Sequence, residues 1–181
     1  MLIAAAAAFS VRGYHATTTR DIAAQAGMSP AAVYIHYRSK EELLFQISRI
    51  GHATSLALLT GVSDVDPAAR LASAVRAFAS WHAEFHTTAR VVQYELSALT
   101  PEHLAEVVEL RRRIEGSVRG MVEDGVAAGV FDVPDVRGAT LAVLSLCIDV
   151  ARWYQPGGKR APAQIGELYA DLVLRMLGSP G

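Results

Sequence analysis

The chain has 181 residues, 51% of them hydrophobic and 19% charged, with a formal net charge of −1 at pH 7. That length allows one or two domains and a sizeable core, and the near-zero charge excludes a binder that relies on a uniformly basic surface. A single cysteine, Cys147, excludes an internal disulfide framework, and no run reaches the roughly 20 uncharged apolar residues of a membrane span.

In chain order, Leu2, Ile3, Ala5, Phe9 and Val11 have helical spacing, and Gly13 ends the segment. This apolar start lacks the basic flank and cleavage site of a signal peptide, so the expected compartment is the cytoplasm. Thr18 followed by Asp21 predicts a capping box, opening a helix through Ile22, Ala23 and Ala26 that stops at Gly27. Ser29 is a natural N-cap, and Pro30 stands at the first helical position, where a missing N–H costs nothing. That helix is short, about Pro30 to Tyr37, and Ser39 with Glu42 predicts a further capping box that opens the next helix at Lys40.

Two short helices joined by a glycine turn make a helix-turn-helix. Ile22, Met28 and Val33 are the expected contacts between them, which leaves Ser29, Ala31, Tyr34, Ile35 and His36 on the other sides. Small residues at the start let that helix approach a groove floor, while nearby hydroxyls, a histidine and a lysine suit phosphate oxygens. Arg20 adds a fixed positive charge on the preceding helix. Residues 1–51 carry a net charge of +2 and the remainder −3, so a mildly basic head stands on an acidic body.

The run Ala16-Thr17-Thr18, then Asp21-Ile22-Ala23, Ala26-Gly27-Met28-Ser29, Val33-Tyr34, His36-Tyr37 and Ser39-Lys40-Glu41, resembles the DNA-binding domain of TetR-type transcriptional regulators. Val33 stands where that family often has leucine and Tyr37 where it often has phenylalanine, and both keep the packing role. The resemblance implies an all-α fold, with a three-helix DNA-binding head over residues 1–46 and a larger effector-binding and dimerisation body over 47–181. It implies phosphate contacts from Thr17, Thr18, Tyr34, His36, Tyr37 and Lys40. It also implies that the stretch from Ser29 to Ile35, which includes Pro30 and Ala31, faces bases. Thr19 and Arg20 complete the DNA-facing set.

The helix opened by Ser39 is expected to reach about Leu59, before a turn cluster from Gly61 to Pro67. From Pro67 to His86, the positions Leu71, Val75, Phe78, Trp81 and Phe85 have helical period. Core packing is the plainer reading of Trp81 and Phe85; an aromatic wall along a ligand cavity is the functional one, and Tyr94, Met121 and Cys147 join that candidate effector set. His82 and His86 lie one turn apart, a spacing that suits a metal, but no third ligand is evident and no metal or cofactor is expected. Thr87 or Thr88 is expected to cap the next helix, through Val91, Val92, Tyr94 and Leu96. Thr100-Pro101-Glu102 starts a long charged helix with an arginine triplet at Arg111, Arg112 and Arg113, read as a solvated face.

A turn from Gly125 to Pro134 precedes a helix from about Asp135 to Tyr154 that is apolar on more than one face. The last helix follows from about Pro162. Cys147 sits between Leu146 and Ile148 and reads as a buried small hydrophobe. Two late apolar helices joined by a loop suit a dimer. The phrase Ala151-Arg152-Trp153-Tyr154-Gln155-Pro156-Gly157-Gly158, with Tyr169-Ala170-Asp171-Leu172, is similar to TetR-type regulators of fatty-acid, steroid and other acyl-CoA catabolism. The resemblance implies a homodimeric regulator, in the usual case a repressor, that binds double-stranded operator DNA and is released by a small apolar effector such as an acyl-CoA, with no membrane partner. The competing classes are a helical enzyme or a metal-binding protein using a cavity in the body. No phosphate-binding loop, dinucleotide loop, nucleophile elbow or metal box is present to carry them.

Overall fold

The computed structural model describes residues 1–178. Among the described residues the fold is all-α: α1 (Leu2–Arg12), α2 (Thr19–Gln25), α3 (Pro30–His36), α4 (Lys40–Thr60), α5 (Pro67–Glu84), α6 (His86–Tyr94), a 3₁₀ turn (Leu96–Ala98), α7 (Pro101–Ala127), α8 (Val136–Trp153) and α9 (Pro162–Met176). The chain divides into two compact units, one of Met1–Ala53 with Thr87–Leu110, the other of Thr54–His86 with the chain from Arg111 onward. A cut at residue 46 would leave α6 and the start of α7 with the body, whereas the structure groups them with the head.

The first unit packs α1, α2, α3 and the start of α4 around Phe9, Ile22, Val33, Leu43 and Leu44, each almost wholly buried. The same core takes in Val91, Val92, Leu99 and Val107 from the later segment. Local chemistry sets the helix ends. Asp21 N–H donates to Thr18 Oγ1 (3.2 Å) while Thr18 N–H donates to Asp21 Oδ2 (2.8 Å), closing the capping box. Gly27 takes a left-handed φ of 66°, which lets Met28 N–H reach back to Ala23 O (2.9 Å) and close the turn. Ser39 Oγ accepts from Glu42 N–H (3.0 Å), but the Glu42 carboxylate accepts from Arg38 N–H (2.9 Å), one residue earlier than in a strict capping box.

Two expectations shift. Met28 is exposed, so Ile22 and Val33 alone of the three expected residues form the buried contact between α2 and α3. The segment expected to run to His86 as one helix ends at Glu84, because Phe85 leaves the helical region with φ −102° and ψ 29°. α6 begins at His86 itself, ahead of the expected threonine cap, and Leu96 belongs to the 3₁₀ turn.

In the second unit α5 packs against α8 and α9. The α5–α9 approach is set by Gly166: a Cβ there would meet Ser80 Oγ and lie 2.5 Å from Arg76 O. Asp66 opens α5 by accepting from Ala69 N–H (2.7 Å), and Asp135 opens α8 by accepting from Gly138 N–H (3.0 Å). Gly166→Val should therefore destabilise by about 1–3 kcal/mol, a fall of roughly 2–4 °C in Tm per kcal/mol for a chain of this size. Gly116 has no atom within 4 Å of a built Cβ, and Gly116→Ala should instead hold or raise Tm. Thermal denaturation followed by circular dichroism compares the two.

Candidate functional site

α3 has seven residues, too few to persist in isolation. It is held at its start by Ser29, whose Oγ accepts from Ala32 N–H (3.2 Å), and from behind by Val33, which is 1% exposed. Its outer side is open: Pro30, Ala31, Tyr34 and His36 are exposed, and Ile35 is 78% exposed. Ser29 and Arg20 are exposed as well, while Tyr37 is half-buried against the head core. Tyr34 Oη and Thr19 Oγ1 are 2.9 Å apart, a hydrogen bond that ties α3 to the first residue of α2.

The charge around α2 is organised by Asp21. Its carboxyl is held below the usual aspartate range, first by hydrogen bonds from Thr18 and then by Arg12, whose Nη1 lies 2.7 Å from Asp21 Oδ1. A lowered carboxyl contributes stability in full above the ordinary aspartate pKa and loses it as pH falls through the lowered value. Asp21→Asn should therefore flatten the acid limb of head unfolding, a change seen by following thermal stability between neutral and acidic pH.

Two of the expected phosphate-facing residues are committed inward. Thr17 is 1% exposed, and its hydroxyl donates to Gly13 O (2.7 Å) and Ala8 O (3.2 Å). Lys40 Nζ donates to backbone carbonyls of the loop between α1 and α2 and sits 4.2 Å from the centroid of the Tyr14 ring. Thr18 remains exposed at the α2 N-terminus.

Sequence reasoning gave no role to one cluster in this unit. Glu41 Oε1 accepts from His103 Nδ1 (2.8 Å) and from Thr100 N–H (3.0 Å), and the His103 ring stacks on Phe45 with centroids 3.7 Å apart. Partners 59 and 62 residues apart leave no local pattern to read.

The second unit contains a cleft of about 240 Å³ at the α8–α9 loop, lined by Trp153, Tyr154, Lys159, Arg160, Ile165 and Leu168 among others. Two aromatic rings and two cations at one opening can stack a planar group and neutralise phosphate. Much of this lining belongs to the phrase beginning at Ala151, though Lys159 and Arg160 were not singled out by it. None of the expected effector residues lines this cleft. Trp81 and Phe85 form a tilted ring pair 5.6 Å apart, with Trp81 half-buried and Phe85 exposed. Met121 and Cys147 are buried in the packed interior of the second unit, and Tyr94 is 61% exposed in the first. His82 and His86 turn Nδ1 toward Phe78 O (2.8 Å) and Ala83 O (3.0 Å), and among the described residues no trio of His, Cys, Asp or Glu is placed to hold a metal.

Burial pushes the Cys147 thiol up to about 12. Cys147 should resist a thiol reagent at pH 8 in the native protein and react stoichiometrically in denaturant; absorbance of the released chromophore reads both.

The family model for bacterial regulatory proteins of the tetR family matches residues 2–47. The model for the tetracyclin repressor-like C-terminal domain matches residues 64–177. The repressor KstR2 of Mycolicibacterium smegmatis is 31% identical over 184 residues, covering 96% of this chain and 87% of that protein. A crystal structure of a tetR-family bacterial regulatory protein from Rhodococcus RHA1 is 43% identical, with a TM-score of 0.92 over 99% of this chain and 96% of that one. AibR, solved in complex with isovaleryl coenzyme A and operator DNA, shares the fold at a TM-score of 0.84 and 23% identity, over 99% of this chain and 97% of its own. Among the described residues no helix is long and apolar enough to cross a membrane.

Proposed function

We propose a ligand-gated operator-binding function on one premise: the chain belongs to the TetR family of bacterial regulatory proteins. The observation that carries this reading is α3, whose back is sealed by Val33 while Pro30, Ala31, Tyr34, Ile35 and His36 stand exposed in front. A short helix with a small-residue N-terminus and an open outer face fits the major groove. Ala31 and Ile35 face bases, while Thr18, Thr19, Arg20, Ser29, Tyr34, His36 and Tyr37 serve the phosphate backbone around them. The protein acts in the cytoplasm, where the operator lies.

Two copies are required. Leu141 and Leu146 on α8 and Leu172 and Met176 on α9 are apolar side chains that a single chain leaves open to water, and a second copy covers them. The dimer presents α3 twice, to half-sites about one helical turn apart.

The effector is an acyl-CoA, and its nucleotide end enters the cleft at the α8–α9 loop, where Trp153 and Tyr154 supply stacking and Lys159 and Arg160 meet phosphate. The named relatives support this class: one is a repressor, and AibR holds isovaleryl coenzyme A with operator DNA. The effector must prefer the conformation that binds DNA poorly, because a ligand indifferent to the two states shifts nothing. A coupling of about 1–3 kcal/mol changes operator affinity roughly 5- to 150-fold.

A duplex pool of random sequence selected on the protein should yield an inverted repeat. Fluorescence anisotropy on that duplex should then show Ile35→Ala losing about 1–3 kcal/mol with relaxed sequence preference, and Arg20→Gln losing affinity on all sequences. Adding an acyl-CoA should release the duplex, and Lys159→Glu with Arg160→Glu should abolish release while leaving duplex binding unchanged. No enrichment of any repeat overturns the operator reading; release that survives the charge reversal overturns the cleft assignment.

A further inference from the structure

Lys40 stands at the first residue of α4 with its ammonium turned back into the head. Nζ donates to Tyr14 O (2.7 Å) and Thr17 O (2.9 Å) and lies 3.4 Å from His15 O. An ammonium has three N–H donors, and three carbonyls of one loop take them. The charge also lies over the Tyr14 ring, 4.2 Å from its centroid, and that ring is buried. The rest of the loop is tied down by other groups: Tyr14 N–H donates to Glu95 Oε1 (3.2 Å), and Thr17 Oγ1 donates to Gly13 O (2.7 Å).

The loop leads directly into the DNA-facing residues. Thr18, the N-cap of α2, comes next, and after it Thr19, whose hydroxyl lies 2.9 Å from that of Tyr34 on α3. The path from Lys40 through the loop to α2 and then to Tyr34 is made entirely of hydrogen bonds and chain connectivity. We propose that Lys40 is a positioning residue for DNA recognition, not a phosphate ligand: its ammonium clamps the Tyr14–Thr17 loop and so sets where the first turn of α2 and the hydroxyl of Tyr34 stand. This rests on the operator-binding reading and assigns a different task to a residue whose position in the family pattern implies a phosphate contact.

The two roles differ in salt dependence. A phosphate contact releases counterion, so losing it lowers the slope of log K against log salt by about one and weakens all duplexes alike. A clamp makes no such contribution, because the groups it sets in place, the hydroxyls of Thr19 and Tyr34, are uncharged, so its loss weakens binding and leaves the slope unchanged. Anisotropy titrations between about 50 and 200 mM salt would compare wild type with Lys40→Met, Tyr34→Phe and the double variant, with the active fraction fixed by stoichiometric titration. The expected result for Lys40→Met is a loss of at least tenfold on the operator with an unchanged salt slope. Because Lys40 acts through Tyr34, the double variant should lose less than the product of the single losses, by at least about threefold. A variant that merely lowers the folded fraction gives multiplicative losses.

Lys40→Gln keeps a donor without a charge and serves if Lys40→Met does not fold. It should keep the wild-type salt slope and bind within tenfold of wild type. A slope reduced by about one in either variant, or multiplicative losses in the double variant, overturns the proposal. Failure of the wild-type protein to bind any selected repeat is a separate result: it overturns the operator reading and this proposal with it.

Discussion

The head depends on one buried cluster, in which Val33 of α3 and Ile22 of α2 are both almost wholly removed from water. A helix of seven residues gains too few hydrogen bonds to offset its nucleation cost, so α3 exists because its inner side chain is removed from water in a site that α2 and α4 complete. Burying a valine is worth about 1.5–3 kcal/mol, and a serine cap adds about 1 kcal/mol. Those contributions fix the helix without using Pro30, Ala31 or Ile35. Pro30, Ala31 and Ile35 take no part in that packing, and all three are small or aliphatic. Positive charge is set around the helix, on α2 and beyond, and under the proposed operator function that arrangement separates reading from holding.

Most of the local architecture was legible because it is written in short-range chemistry. The Thr18–Asp21 box, the Gly27 turn and the Ser29-Pro30 start each involve partners three or so residues apart, and each forms as the spacing predicts. The misses share a cause. Met28 has the right composition for a contact but sits on the turn, where the backbone path, not the side chain, decides burial. Phe85 fits the helical period of α5 and yet terminates it, because periodicity reports which face is apolar and not where the backbone stops. Lys40 and Thr17 look like surface donors in sequence, since their acceptors are main-chain carbonyls that no residue type announces.

The body was legible in its helices and less so in its concave surface. Trp81 and Phe85 are a pair of large rings at helical spacing on α5, and the cleft at the α8–α9 loop is lined instead by residues between Trp153 and Leu168. Loops are where binding groups gather, since their backbone is not committed to a ladder, and their concavity has no signature in one dimension. Cys147 shows the opposite case. Its apolar neighbours predict burial, and burial alone accounts for a thiol so hard to ionise.

The first unit is stitched from two stretches of chain that are far apart in sequence, and Glu41 with His103, and Tyr14 with Glu95, are the stitches. Exchange of recognition specificity between relatives is usually imagined as a swap of the leading fifty residues. In this protein such a graft would strand Val91, Val92, Leu99 and Val107 against a foreign surface. The heritable module for operator choice is discontinuous, and a chimaera that keeps its fold must carry residues 87–110 along with the beginning of the chain.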